Sequence, residues 1–175
     1  MWKFCAIALS SVFLVAANAT ASNHSVGEEG FGPVRFGMTV REAEAALGVK
    51  LKQDNYTDSD LCRYFFPVGA YPDVAFMTES GRIVRVDVQP FDPARRSVTS
   101  TDKGAKVGDS EARVLKLYAG HIKVGPHFYT GPEGHYLRVT DARGKVRLIF
   151  ETDGKTVVQY RGGQEPAVEY VEGCS

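Results

Sequence analysis

The sequence lacks several features that would narrow its chemistry. It has no cationic excess, since 21 Lys and Arg stand against 21 Asp and Glu. A phosphate backbone or an anionic membrane attracts a basic surface, so nucleic acid and charged lipid are not expected as partners. A serine-hydrolase elbow, a phosphate-cradling glycine loop and a zinc-binding helix motif are all missing, which removes the readiest support for catalysis. Cysteine is sparse: Cys5, Cys62 and Cys174 are far apart. His127 and His135 stand eight apart without ligand-like spacing, so neither a metal nor a cofactor is expected.

The N-terminus carries one cation, Lys3, then an apolar run Phe4–Ala17 broken by Ser10 and Ser11, then Ala19-Thr20-Ala21. That is the order of a secretory signal peptide, with cleavage expected after Ala21 or, as the second choice, Ala19. The run is shorter than the ~20 apolar residues a membrane span needs, so a retained anchor is the weaker reading. Cys5 lies at the wrong end of the run for lipid attachment. Cleavage after residue 21 leaves 154 of the 175 residues, and removal of Lys3 leaves 20 cations against 21 acids. The expected location is the periplasm or the external medium. Two cysteines survive processing, and an even pair in an exported chain reads as a disulfide between Cys62 and Cys174. Two unpaired thiols or an intermolecular bond are the alternatives.

Residues 22–30, rich in Ser, Asn, Gly and Glu, read as a flexible lead-in. A short strand is expected at Phe31–Phe36, followed by Gly37-Met38-Thr39 with Glu42 three residues after Thr39. Thr39 can accept from the amide of Glu42 while Glu42 reaches back, a capping box that starts a helix at Val40. Gly48 supplies the left-handed stop. Cys62–Phe66 reads as a strand. Val74–Met77 and Arg82–Val88 read as a hairpin around Glu79-Ser80-Gly81, with Val84, Val86 and Val88 on one face and Arg85 and Asp87 on the other.

The same landmarks return downstream. Val107–Ser110 resembles the turn before the first helix, Glu111–Tyr118 reads as a helix ended by Gly120, and Tyr136–Val139 reads as a strand. Val146–Phe150 and Lys155–Tyr160 form a second hairpin around Thr152-Asp153-Gly154. Gly37 precedes Gly108 by 71 positions and Gly81 precedes Gly154 by 73. This regular spacing reads as a tandem duplication, with a first unit at 31–90, a linker at 91–103 and a second unit with its tail at 104–175. Each unit has too few apolar residues to stand alone. The expected fold is therefore α+β: duplicated strand–helix–strand–hairpin units forming one antiparallel sheet, with both helices on one face and the other face open. Val98–Thr101 can pair as an edge strand, and Pro166–Cys174 alternates like a final strand.

Candidate sites follow from that layout. Asp54, Asp58 and Asp60 lack the glycine and terminal glutamate of a calcium loop, so they read as a solvated turn. Glu169 and Glu172 read as surface acids. The segment His121–Gly134 reads as a long loop between helix and strand, rich in aromatics and proline. It serves either for recognition or to plug the core with Phe128. Arg85, Asp87, Tyr136, Arg138 and Arg147 fall at outward alternations. They form either an ordinary wet face or a Tyr- and Arg-rich interface.

Gly37-Met38-Thr39, followed by the acidic, alanine-rich helix and the Leu47-Gly48 stop, is similar to the SmpA/OmlA outer-membrane assembly family. Two helix-plus-hairpin units in tandem resemble the β-lactamase inhibitor proteins. The resemblance implies a non-catalytic module that binds another protein through an open sheet and loops. The expected role is an exported protein-binding module, specifically an inhibitor or immunity protein against an envelope or extracellular enzyme. Partner contacts are expected at Arg85, Tyr136 and Arg138 on the sheet and at Phe128 and Tyr129 in the loop. An accessory factor for envelope assembly and a small hydrolase with an unmarked site are the alternatives.

Overall fold

The computed structural model describes residues 24–55, 61–92 and 94–174. The leader at 1–21 and the carboxylates at positions 58 and 60 lie outside the described residues.

Helix α1 spans Val40–Leu47, the segment the capping box predicts. Thr39 Oγ1 accepts from the Glu42 amide, the Glu42 carboxylate accepts from the Thr39 amide at 2.7 Å, and Gly48 closes the helix at φ 71°. Helix α2, Glu111–Leu117, starts on the Ser110 hydroxyl, which accepts from the Arg113 amide at 3.3 Å. Hairpin β6–β7 (Val74–Glu79, Arg82–Val88) and hairpin β10–β11 (Val146–Thr152, Val157–Gly163) lie where the alternation of apolar residues places them. Strands β5 (Cys62–Pro67) and β9 (Gly131–Thr140) contain the expected strands.

Strands β4 (Leu51–Gln53) and β8 (Ile122–His127) arise from segments without a strand signal. The second corrects the sequence reading. Within the expected aromatic loop, residues 122–127 form an outer strand and 131–134 open β9, because the edge amides and carbonyls of β9 require partners and β8 supplies them, with Val124 opposite Leu137.

All eight strands pair antiparallel, in the order β4-β5-β6-β7-β11-β10-β9-β8. Each helix is followed by a four-stranded meander, and the meanders join at β7–β11, with Arg161 opposite Asp87 and Gly162 opposite Val86. Both helices, through Ala43 and Val114, pack into one core that also contains Phe76, Ile83, Leu137 and Phe150.

The chain on either side of this framework is more deeply built in than its composition suggests. The expected lead-in forms strands β1 (Val26–Gly27) and β2 (Gly30–Phe31), which pair in a small sheet with β3 (Val34–Arg35). Val26 and Phe31 are fully buried. The linker is anchored as well. Asp73 accepts from the Ser97 hydroxyl, the Val98 amide, and the Thr99 amide and hydroxyl, all within 2.8 Å. Thr101 pairs with Val26 rather than with the large sheet. Burial pushes the Asp73 carboxyl up, but these hydrogen bonds outweigh it and hold the group below its ordinary range.

The tail corrects a second expectation. It is not a strand but a 3₁₀ turn, Ala167–Glu169, followed by a bend over residues 171–173, and it lies across the sheet face opposite the helices. Cys62 and Cys174 are joined, with an S–S distance of 2.05 Å and Cα atoms 5.4 Å apart.

Gly162 and Gly163 make the seam between the meanders possible. A Cβ on Gly162 would stand 2.7 Å from Val26 Cγ1 on the helix side, and one on Gly163 would stand 3.2 Å from Val168 Cβ on the other. Gly162→Val should therefore cost about 1–3 kcal/mol through overpacking. Unchanged denaturant unfolding would show that Val26 is not seated on the seam. The bridge closes a loop of 112 residues. Replacing both cysteines by serine should remove about 4–5 kcal/mol in the chain-entropy account, read as a fall in the unfolding midpoint.

Candidate functional site

The face opposite the helices is built here from alternate residues of four adjacent strands: Arg85 and Asp87 on β7, Gln159 and Arg161 on β11, Ile149 and Glu151 on β10, Tyr136 and Arg138 on β9. The sequence periodicity places Arg85, Tyr136 and Arg138 on this face correctly. Their expected exposure is not found. Arg85 is 5% exposed and Tyr136 is 2% exposed, because residues 165–174 lie over them.

The charges explain why the tail stays there. Arg85 forks onto Asp87, with Nε and Nη2 at 2.8 and 2.6 Å from Oδ1, and its Nη1 donates to the Tyr170 carbonyl at 2.5 Å. Arg161 pairs with Glu151 and donates from Nε to the Val168 carbonyl at 2.6 Å. A buried guanidinium is costly unless its donors are satisfied; the tail carbonyls of Ala167, Val168 and Tyr170 take donors that the carboxylates leave over, while Arg161 Nη2 has no hydrogen-bond partner among the described residues. Glu151 also accepts from Gln159 at 2.7 Å and lies 3.1 Å from His127 Nε2. Burial pushes its carboxyl up. The Arg161 charge and the hydrogen bonds from Gln159, His127 and Arg161 outweigh that and hold it below the usual range.

Arg138 remains partly exposed. It reaches Glu169 at 3.1 Å and lies over the Tyr136 ring, 4.9 Å from its centre. The other side of this cluster holds His127, stacked with Tyr136 at 4.5 Å. The Nδ1 of His127 accepts from the Tyr129 and Thr130 amides at 3.2 and 3.3 Å, so Nε2 carries the proton offered to Glu151. One imidazole thus fixes the turn between β8 and β9 to the buried network.

That turn carries Phe128, 73% exposed, and Tyr129, 59% exposed, with their rings edge to face at 5.0 Å. Phe128 does not plug the core. The Tyr129 hydroxyl donates to Glu172 of the tail. Between turn and tail lies a cleft of about 550 Å³, walled by Phe128, Tyr129 and Tyr170, edged by Glu79 and Glu172 and floored by the Cys62–Cys174 bridge. A smaller cleft of about 330 Å³, lined in part by Tyr64, Phe66 and Phe91, lies on the other side of the same tail segment.

Of the five side chains expected to meet a partner, the structure brings Phe128 and Tyr129 together on the surface. It leaves Arg138 half-covered and withdraws Arg85 and Tyr136. Glu79, Tyr170 and Glu172 were missed. The first belongs to a strand end and the other two to a tail whose path depends on a bond 112 residues long, so no local pattern marks them.

No family model, curated protein or solved structure matches this chain. The most enzyme-like cluster lies at the start of α2, where His135 Nδ1 lies 2.8 Å from Glu111 Oε1 and the Thr152 hydroxyl donates to the same oxygen. A carboxylate stands between hydroxyl and imidazole, so the histidine cannot take the hydroxyl proton. This arrangement pins the start of α2 to β9 and β10. Among the described residues, no three His, Cys, Asp or Glu side chains are grouped to hold a metal, and no helix is long and apolar enough to cross a membrane.

Arg161→Met should destabilise the fold by about 3–5 kcal/mol, because Glu151 would be left buried with too few partners. The depressed carboxyls of Glu151 and Asp73 contribute stability that is fully present above the unfolded carboxylate pKa. That stability is lost as pH falls through the lower folded values. Unfolding free energy should thus be flat above about pH 5 and drop below about pH 4. Denaturant melts across that range should show a shallower drop in Glu151→Gln.

Proposed function

We propose that this chain is an exported, non-catalytic protein-binding module, an inhibitor or immunity protein that acts on an envelope or extracellular enzyme. The observation that carries this reading is the Phe128–Tyr129 pair. Two large aromatics stand in solvent on a turn held by His127 from below and by Glu172 from the side. Exposed aromatics on a rigid support contribute contact area at little ordering cost, which suits a binding hot spot. The charged groups of the sheet face are occupied with one another and with tail carbonyls, so they act as structure. Recognition falls to the turn and the cleft beside it.

The secretory pattern at 1–21 and the Cys62–Cys174 bridge support an oxidising, extracytoplasmic setting. The succession of helix and meander, twice over, supports tandem units like those of the β-lactamase inhibitor proteins.

Phe128→Ala/Tyr129→Ala should leave the unfolding free energy within about 0.5 kcal/mol of the parent, as expected for surface changes. Binding to a partner purified from the host's envelope or extracellular fraction should weaken by more than ~30-fold. Titration calorimetry checks both protein forms, and unchanged affinity would reject this surface.

A further inference from the structure

We infer that the cleft between the β8–β9 turn and the tail receives a basic side chain, arginine or lysine, projected by the partner protein. This inference rests on the binding-module reading and gives the partner a chemistry. The chain as a whole is charge-balanced, yet among the described residues the charged side chains lining this cleft are Glu79 and Glu172. Neither is in a salt bridge among the described residues. Glu172 accepts from the Tyr129 hydroxyl, and Glu79 lies close enough to Tyr170 that burial and the carboxylate's charge together push that phenol up. The hydrogen bond orients Glu172, and neither carboxylate has a cationic partner among the described residues.

Three aromatic side chains complete the lining, Phe128, Tyr129 and Tyr170. Ring faces attract a cation through their quadrupole and accept the methylene stem of a long side chain. Carboxylates at the rim add charge-assisted hydrogen bonds to its head. An acidic side chain would meet like charge, and a plain aliphatic one would leave both carboxylates without a countercharge. The disulfide and Gly173 against the Tyr64 ring hold the tail wall in place, so the cleft does not have to be assembled on binding.

The test uses the full mature protein and capped glycine-flanked peptides that differ in one central residue. Amide and ring resonances near Phe128, Tyr129 and Tyr170 are followed by NMR. Arginine and lysine peptides should shift them saturably, whereas citrulline, norleucine and glutamate peptides should not. Raising salt from about 0.05 to about 0.5 M should weaken the effect several-fold. Glu79→Gln/Glu172→Gln, whose melting should stay near the parent's, should weaken peptide and natural-partner binding by at least roughly tenfold. Equal shifts with citrulline, or no loss in that variant, would overturn the inference. Loss of partner binding in Phe128→Ala/Tyr129→Ala together with full binding in Glu79→Gln/Glu172→Gln would overturn it while leaving the binding-module reading standing. Full binding in both variants would remove the two together.

Discussion

The pairing of β7 with β11 is the constraint on which the rest of the structure depends. It turns two meanders, each too small to hold a core, into one sheet with a continuous apolar face. It also puts Gly162 and Gly163 at the centre of the molecule, pointing to opposite faces. The missing side chains leave two depressions, one filled by Val26 and the other by Val168. Glycine weakens a strand locally, so a glycine pair at the end of β11 fits this seam because chain from both ends packs directly on the backbone. The two ends of the described fold thus close the same seam from opposite sides.

The second consequence is electrostatic. Aligning β7 with β11 sets Asp87 opposite Arg161, in a face that also holds Arg85 and Glu151. Four charges so close together would be ordinary in water. Under the tail they are buried, and the tail carbonyls of Val168 and Tyr170 become required partners of the guanidinium groups. Cause and effect run both ways here: the arginines hold the tail, and the tail makes the arginines' burial tolerable. The disulfide adds a covalent limit on how far the tail can depart, and it ties the tail to the start of β5 on the far half of the sheet.

What could be read from the sequence, and what could not, follows from the range of the interactions. Thr39 and Glu42 satisfy each other across three residues, so α1 was legible to its end residues. Strands whose valines alternate with charge, such as β7, were legible in position and in facing. The lead-in, β8 and the tail were not. Val26 is buried by contact with Gly162, β8 exists because β9 has an edge to fill, and the tail is held by Arg85 and Cys62. Each of those causes lies far away in the chain, and polar composition gives no hint of it. The same distinction explains the site. Phe128 and Tyr129 stood out as aromatics in a polar stretch, but Arg85 and Tyr136 were placed on the right face without any sign that something covers it.

The tail closes the sheet face, so the proposed binding surface lies at its edge. With the broad surface occupied by the chain's own tail, the accessible aromatic area beside it concentrates at the β8–β9 turn, and the network beneath determines how firmly that turn is held. His127 is the link: its two ring nitrogens join the Tyr129 and Thr130 amides to Glu151, and Glu151 in turn is locked by Arg161. A side chain on the outer turn is therefore positioned by the same buried pair that seals the tail, so the stiffness of the surface and the stability of the seam have one physical origin. The proposed binding module would therefore lose little freedom on meeting a partner, because its ordering is completed when it folds.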